Sequence, residues 1–146
     1  MINSNKFLVD TNILIYSIEN SDRGNRVIDL LQELQTKEGQ LFISTQNILE
    51  FERVVTHKNF SRKFTYKEIE KIEELWLNNF TLIGEDLRVW EVFRNLKKIY
   101  KPKENNVFDL WIVCTMQVHG ISTIITDNVK HFSEYNGIRV IKLGKV

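Results

Sequence analysis

Four acidic residues in this 146-residue chain stand where a carboxylate needs a reason to be. Asp10 follows the apolar run Phe7-Leu8-Val9 and precedes another, Ile13-Leu14-Ile15. A charge set between two buried segments requires a partner, because taking an unpaired ion out of water is costly. Asp127 has a similar placement: "STIITDN" ends an apolar run in Thr126 and Asp127, much as "KFLVDTN" ends in Asp10 and Thr11. Asp109 lies in the first turn of the apolar segment "FDLWIVCTM", between Phe108 and Leu110. Glu50 sits in "NILEFERVV" between Leu49 and Phe51.

Two strands that each end in Asp would, as neighbours, bring their carboxylates together. Two carboxylates about 4 Å apart at an effective dielectric of about 20 repel by about 4 kcal/mol. A site that gathers three or four of them therefore requires a cation. Oxygen-only ligands suit a hard ion that keeps part of its water, Mg²⁺ or Mn²⁺. Such an ion orients and acidifies a water and stabilises charge on a phosphoryl group. Taken singly, each acid has a plainer reading. Asp109 suits a helix N-terminus, Asp127 before Asn128 suits a turn, and Glu50 suits a half-exposed helix. The combination carries the metal reading.

The elements that must position these acids alternate in kind. "KFLV" reads as a first strand, after which Ile13 to Ile15 begin a helix. Val27, Ile28, Leu30, Leu31 and Leu34 recur at helical spacing between Arg23 and Lys37. "QLFIS" is a second strand, and "TQNILEFERVVTHK" a helix. Thr65 followed by Glu68 is a capping box for a helix through Ile69, Ile72, Leu75 and Trp76. "FTLIG" is a third strand, and Glu85 or Asp86 starts a helix through Val89, Phe93, Leu96 and Ile99. "FDLWIVCTMQVHG" is a helix closed by Gly120. "STIIT" and "IRVIKL" supply strands four and five. Strands alternating with helices predict one α/β domain over residues 1–146, a parallel sheet of about five strands with helices on both faces. In such sheets reactive groups collect beyond the carboxyl ends of the strands, where strand order reverses. Asp10 sits just past such an end.

Composition narrows the classes. With 42% hydrophobic and 27% charged residues, one Pro and six Gly, the chain reads as an ordinary globular protein without a long linker. A net charge of +1 does not by itself indicate a nucleic-acid partner. The single cysteine, Cys114, excludes an internal disulfide and a zinc site built on paired cysteines. His57, His119 and His131 fit no metal-ligand spacing and read as surface or capping residues. The apolar runs are too short for a membrane span, and "MINSNK" lacks a signal-peptide core, so a cytoplasmic protein without a membrane partner is expected.

These motifs together resemble the PIN domain: Asp10-Thr11-Asn12 after the first strand, Ser44 six residues before Glu50, Asp109 opening an apolar helix, and Thr126-Asp127 after a strand with Phe132 beyond. Within that family the chain looks most like the VapC-type toxins of toxin–antitoxin pairs. The resemblance implies a metal-dependent ribonuclease using Mg²⁺ or Mn²⁺, with RNA as substrate, a cognate antitoxin and a homodimeric state. It implies Asp10, Glu50, Asp109 and Asp127 as the acidic quartet. Asp10, Asp109 and Asp127 would be metal ligands. Thr11, Asn12, Ser44 and Thr126 would hold the carboxylates by hydrogen bonds. The chain departs from the family in "LWIVCTM", where Trp111 and Cys114 replace small residues.

An acidic pocket repels a polyanion, so a basic rim is expected. "HKNFSRKF" offers Lys58, Arg62 and Lys63; "RNLKKIYKPK" offers Arg94, Lys97, Lys98, Lys101 and Lys103. Tyr100 and Phe60 are candidates for stacking on unpaired bases. Phe60, Phe64, Tyr66, Leu75, Trp76 and Phe80 are candidates for a dimer or antitoxin surface, and equally for core. Two other readings compete with the toxin: a PIN-type nuclease of RNA processing, and a non-catalytic α/β binding module. A dinucleotide fold lacks its glycine-rich turn, since no G-x-G-x-x-G follows the first strand.

Overall fold

The alternation of apolar strands and amphipathic helices builds a three-layer α/β domain. A computed structural model describes residues 5–144. The elements run β1 (Lys6–Val9), α1 (Thr11–Ser17), α2 (Asp22–Thr36), β2 (Gln40–Ser44), α3 (Thr45–Val55), α4 (Tyr66–Asn79), β3 (Thr81–Ile83), α5 (Leu87–Tyr100), α6 (Asn106–Val118), β4 (Thr123–Ile125), α7 (Val129–Phe132) and β5 (Arg139–Ile141). The five strands pair in the order β3-β2-β1-β4-β5, and every pairing is parallel. The expected five-stranded parallel sheet is present; the four-residue α7 was not expected.

Period-two alternation along the strands feeds two separate cores. Phe7 and Val9 of β1, with Leu41, Ile43 and Ile125, face a core closed by Ile13, Val27, Phe51 and Trp76 from α1 to α4. Leu8, Phe42 and Ile124 face the other side, against Val89, Leu110, Val113, Met116 and Phe132 from α5, α6 and α7. Central strands buried on both faces read as continuous apolar runs, which is why "FLV" and "TII" carry no polar alternation.

Capping fixes the helix ends. Gly120, at φ +69°, adopts the left-handed turn that closes α6. The N–H of Ile121 reaches Met116 O at 2.9 Å, and that of Gly120 reaches Gln117 O at 3.1 Å, a Schellman pairing. The Thr65–Glu68 capping box forms as expected: Thr65 N donates to Glu68 Oε2 at 2.7 Å, and Glu68 N to Thr65 Oγ1 at 3.2 Å. Thr65→Ala is expected to cost about 1 kcal/mol of stability, read as a lower urea midpoint with unchanged slope.

Of the aromatic residues open to either a partner surface or the core, some are packed inside. Trp76 is buried and meets Phe51 edge-on at 4.6 Å. Tyr100 packs against Tyr135 at 4.9 Å and accepts a hydrogen bond from Asn136 N, and Phe60 leans on the first core. Tyr66 and Leu75 remain exposed. Cys114 is fully buried, and burial pushes its thiol up to about 12, so it is an inert part of the core.

Candidate active site

The sheet order places its reversal between β1 and β4, because the chain fills one side of β1 with β2 and β3 before crossing to β4 and β5. The carboxyl ends of β1, β2 and β4 therefore deliver Asp10, Ser44 and Thr126 to one edge. Asp10 serves as N-cap of α1: its Oδ1 accepts from Thr11 N at 2.9 Å. Its Oδ2 accepts from Thr126 Oγ1 at 2.7 Å. That hydroxyl in turn accepts from Asn12 Nδ2 at 3.3 Å and Asn128 N at 3.0 Å, which fixes its proton on Asp10.

Helix α3 contributes Glu50. Its Oε2 accepts from Thr11 Oγ1 at 3.0 Å and its Oε1 from Gln46 Nε2 at 3.0 Å. Thr11 is oriented by the fully buried Asn47, whose Nδ2 donates to Thr11 Oγ1 at 3.1 Å. Asn47 Oδ1 accepts from both Ser44 N and Ser44 Oγ at 2.9 Å. Ser44 thus connects to Glu50 through Asn47 and Thr11. Asp109 comes from the first turn of α6, and its Oδ2 lies 3.0 Å from His131 Nδ1 of α7.

Asp10, Glu50 and Asp109 share a cleft of about 200 Å³, which Thr11, Asn12 and Asn128 also line. It opens through Glu50, Asp109 and Asn128 into a wider one of about 690 Å³. The electrostatics reflect the crowding. Burial raises the Asp10 carboxyl to about 6; Thr126 and Thr11 oppose the rise, and Glu50 and Asp109 add to it. Burial also raises Asp109, against the pull of His131, with Glu50 and Glu134 adding to the rise.

Asp127 is placed differently. It does not line this cleft. Its N–H donates to Asn12 Oδ1 at 3.4 Å, and its carboxylate faces Tyr16 and Arg23. The strand register explains this. Val9 is paired with Ile125, so Asp10 has Thr126 as its lateral neighbour, and Asp127 falls one residue out of step. One residue is enough to turn a side chain to the opposite side.

Sequence reasoning missed several contributors. Asn47 had a signal in the Ser44-x-x-Asn47 capping box of α3. His131, Asn128 and Arg53 had none. Arg53 lines the wider cleft, one turn beyond Glu50. Lys58, Arg62, Lys63, Lys98, Lys101 and Lys103 do not line it; Lys63 Nζ donates to Lys58 O and Arg62 covers the Phe64 ring at 4.4 Å.

The donor set suits a hard divalent ion. All three carboxylates offer oxygen, and Asp109 Oδ2 is sealed from solvent with the His131 ring nitrogen beside it at 3.0 Å. Among the described residues, no three His, Cys, Asp or Glu side chains converge into a ready-made ligand cluster. Mg²⁺ does not require one, since it keeps several waters and binds through one or two carboxylates plus substrate phosphate.

Fold and site together define a doubly wound α/β domain with a carboxylate cleft at its switch point. The chain belongs to the PIN domain family, whose model matches residues 7–138. It is 27% identical over 135 residues to Ribonuclease VapC48 of Mycobacterium tuberculosis, covering 90% of this chain and 92% of that protein. Among solved structures it is similar to a toxin-antitoxin complex from Klebsiella pneumoniae, at 26% identity and TM-score 0.64, covering 95% of this chain and 98% of that one. VapBC2 from Rickettsia felis, bound to a DNA fragment from its promoter, shares the fold at 18% identity and TM-score 0.66, over 94% of this chain and 98% of that one. No helix among the described residues is long and apolar enough to cross a membrane.

Proposed function

We propose that this protein is a divalent-metal-dependent endoribonuclease, the toxin of a toxin–antitoxin pair, which hydrolyses RNA phosphodiester bonds in the cytoplasm. The observation that carries the reading is that Asp10, Glu50 and Asp109, from three separate elements, line one cleft at the switch point. The ribonuclease and toxin–antitoxin relatives support it.

Asp10 and Asp109 would hold Mg²⁺ or Mn²⁺, with Glu50 beside them. The bound ion would neutralise charge on the phosphoryl oxygens and acidify a water. The chain's own contribution is preorganisation. Thr126 and Thr11 N fix both oxygens of Asp10, while Thr11 Oγ1 and Gln46 fix both oxygens of Glu50. Asp127 supports the flank beside Tyr16 and Arg23 in this reading, and its backbone steadies Asn12.

RNA must enter a cleft rich in negative charge, and among the described residues Arg53 is the Lys or Arg side chain lining it. Arg53→Ala is expected to weaken RNA binding about equally for all sequences. The slope of log affinity against log salt should shrink by about 0.7 to 1. An unchanged slope would remove Arg53 from the phosphate path.

The decisive test is cleavage of a labelled RNA by the purified protein. Chelation should stop it and Mg²⁺ or Mn²⁺ should restore it; cleavage that persists in excess chelator overturns the proposal. Expression should also arrest growth, with relief by a co-expressed antitoxin. Metal-dependent cleavage without growth arrest would favour a role in RNA processing.

A further inference from the structure

One short segment touches two of the three acids that line the cleft. It runs from Thr126 to Phe132, through the turn after β4 and the whole of α7. At its start Thr126 Oγ1 donates to Asp10 Oδ2 at 2.7 Å, and Asn128 N donates to that same hydroxyl at 3.0 Å. Near its end His131 Nδ1 lies 3.0 Å from Asp109 Oδ2. The backbone between them is pinned. His131 N donates to Asn128 O at 3.1 Å, and Phe132, the next residue, is fully buried in the second core. The imidazole is therefore carried to the carboxylate by an anchored turn.

The three acids are not held alike. Both oxygens of Asp10 accept hydrogen bonds, from Thr11 N and Thr126 Oγ1. Both oxygens of Glu50 do so as well, from Thr11 Oγ1 and Gln46 Nε2. Among the described residues, His131 is the donor that stands beside the Asp109 carboxylate. Oδ2 is sealed from solvent, so water does not replace that donor. Glu50 and Glu134 both repel the Asp109 charge, and the terminal torsion of an aspartate is broad. Its direction therefore depends on its partner. A carboxylate oxygen only accepts, which assigns the facing proton to His131 Nδ1 and fixes the tautomer of the ring.

We propose that His131 is a positioning residue of the cleft: it holds Asp109 Oδ2 and thereby sets the direction of the other oxygen, which is left for a divalent ion. The inference rests on the metal-dependent ribonuclease reading above. His131 lines the wider cleft but not the smaller one that all three acids share, which separates it from the ligands themselves. Groups that orient a metal ligand without touching the ion matter nearly as much as the ligand, and losing one costs about 10- to 100-fold in metal affinity or activity. A purely structural role, pinning α7 to α6, fits the geometry less well. Phe132 already anchors α7, and the His131 side chain is 47% exposed, so it adds little burial.

The test measures Mn²⁺ affinity, the tautomer of the ring and stability on the same proteins. His131→Ala should weaken Mn²⁺ binding by about tenfold or more, read from the electron paramagnetic resonance signal of the free ion. His131→Asn, whose amide nitrogen stands close to the place of Nδ1, should recover most of that loss. The urea midpoint of His131→Ala in chelator should stay close to the parent's, and its cleavage rate should approach the parent's in excess Mn²⁺. Nitrogen-15 spectra at alkaline pH, where the ring is neutral, should show the Nδ1–H form in the parent. Asp109→Ala should return it to the Nε2–H form that a free imidazole favours. Parental Mn²⁺ affinity in His131→Ala, or an Nε2–H ring in the parent, overturns the inference even if RNA cleavage is intact. Affinity equally low in His131→Asn, with a lowered urea midpoint, assigns the loss to the packing of α7 and also overturns it. So does a nitrogen coupling to bound Mn²⁺ that disappears in His131→Ala, which would make His131 a ligand. The expected affinities and tautomers in a parent that cleaves no RNA would leave the inference standing and fell the ribonuclease reading. A parent that binds no Mn²⁺ fells both.

Discussion

Asp10→Asn should silence RNA cleavage and, without divalent ion, leave the protein more stable at pH 7 than the parent. Asp10 is 5% exposed, and burial raises its carboxyl from 3.8 to about 6. Between about pH 4 and 6 the folded chain holds this proton and the unfolded chain has released it. The contribution of Asp10 to stability therefore falls as pH rises through that window, and above about 6 the full cost applies. A shift of this size corresponds to about 3 kcal/mol. Asparagine avoids the charge and still accepts from Thr11 N. It cannot accept from the Thr126 hydroxyl if its amide nitrogen takes the Oδ2 position, which returns about 1 kcal/mol. The net expectation is a gain of about 2 kcal/mol at pH 7 that vanishes near pH 4. Urea unfolding of both proteins in chelator, at the two pH values, measures it. Glu73, raised to about 7 by burial and by facing Glu52, lowers stability in both proteins alike, so the difference isolates Asp10. An equal gap at both pH values would show that Asp10 carries no such burden.

The same substitution should cost cleavage roughly a thousandfold, the rate equivalent of the several kcal/mol a bound ion supplies. A residue whose removal stabilises the fold and ends the chemistry is retained for function at the expense of stability. Divalent ion should raise the stability of the parent and not that of the variant, because a ligand stabilises only the state that binds it.

Asn47→Ala is the second large effect, and it acts at a distance from the reacting groups. Asn47 is fully buried and joins three partners: Ser44 N, Ser44 Oγ and Thr11 Oγ1. Alanine leaves the buried Ser44 N–H without its acceptor and breaks the reciprocal half of the α3 capping box, while the Asn47 N–H keeps its bond to Ser44 Oγ, so stability should fall by about 1 to 3 kcal/mol. Thr11 then loses the group that orients it toward Glu50, and cleavage should fall about tenfold to a hundredfold. Asn47→Asp separates the two effects. It keeps acceptors for Ser44 N and Oγ but has no amide to donate to Thr11, so it should recover the capping box better than the rate. Parental cleavage in Asn47→Ala would detach this network from the site.

Much of this molecule was legible before any coordinates. The apolar tripeptide before Asp10, the helical spacing between Val27 and Leu34, the Thr65–Glu68 box and the glycine after Val118 and His119 are all local signals. Local signals determine elements, because helix and strand periods are written in adjacent residues. The short α7 escaped notice because four residues hold barely one helical turn. The cleft cation was sought in lysine-rich segments, whereas Arg53 reaches it from α3, where no composition signal marks it.

The sequence by itself determined an α/β domain with a parallel sheet, and an acid past the end of its first strand that had to be held by partners. Only the tertiary structure decided which acids meet. The strand order β3-β2-β1-β4-β5 sets the reversal beside Asp10, and the paths of α3 and α6 bring Glu50 and Asp109 across to it. The pairing of Val9 with Ile125 gives Asp10 the Thr126 hydroxyl as its neighbour and turns the Asp127 carboxylate toward Tyr16 and Arg23. Register is a relation between strands more than a hundred residues apart, so no window of sequence contains it.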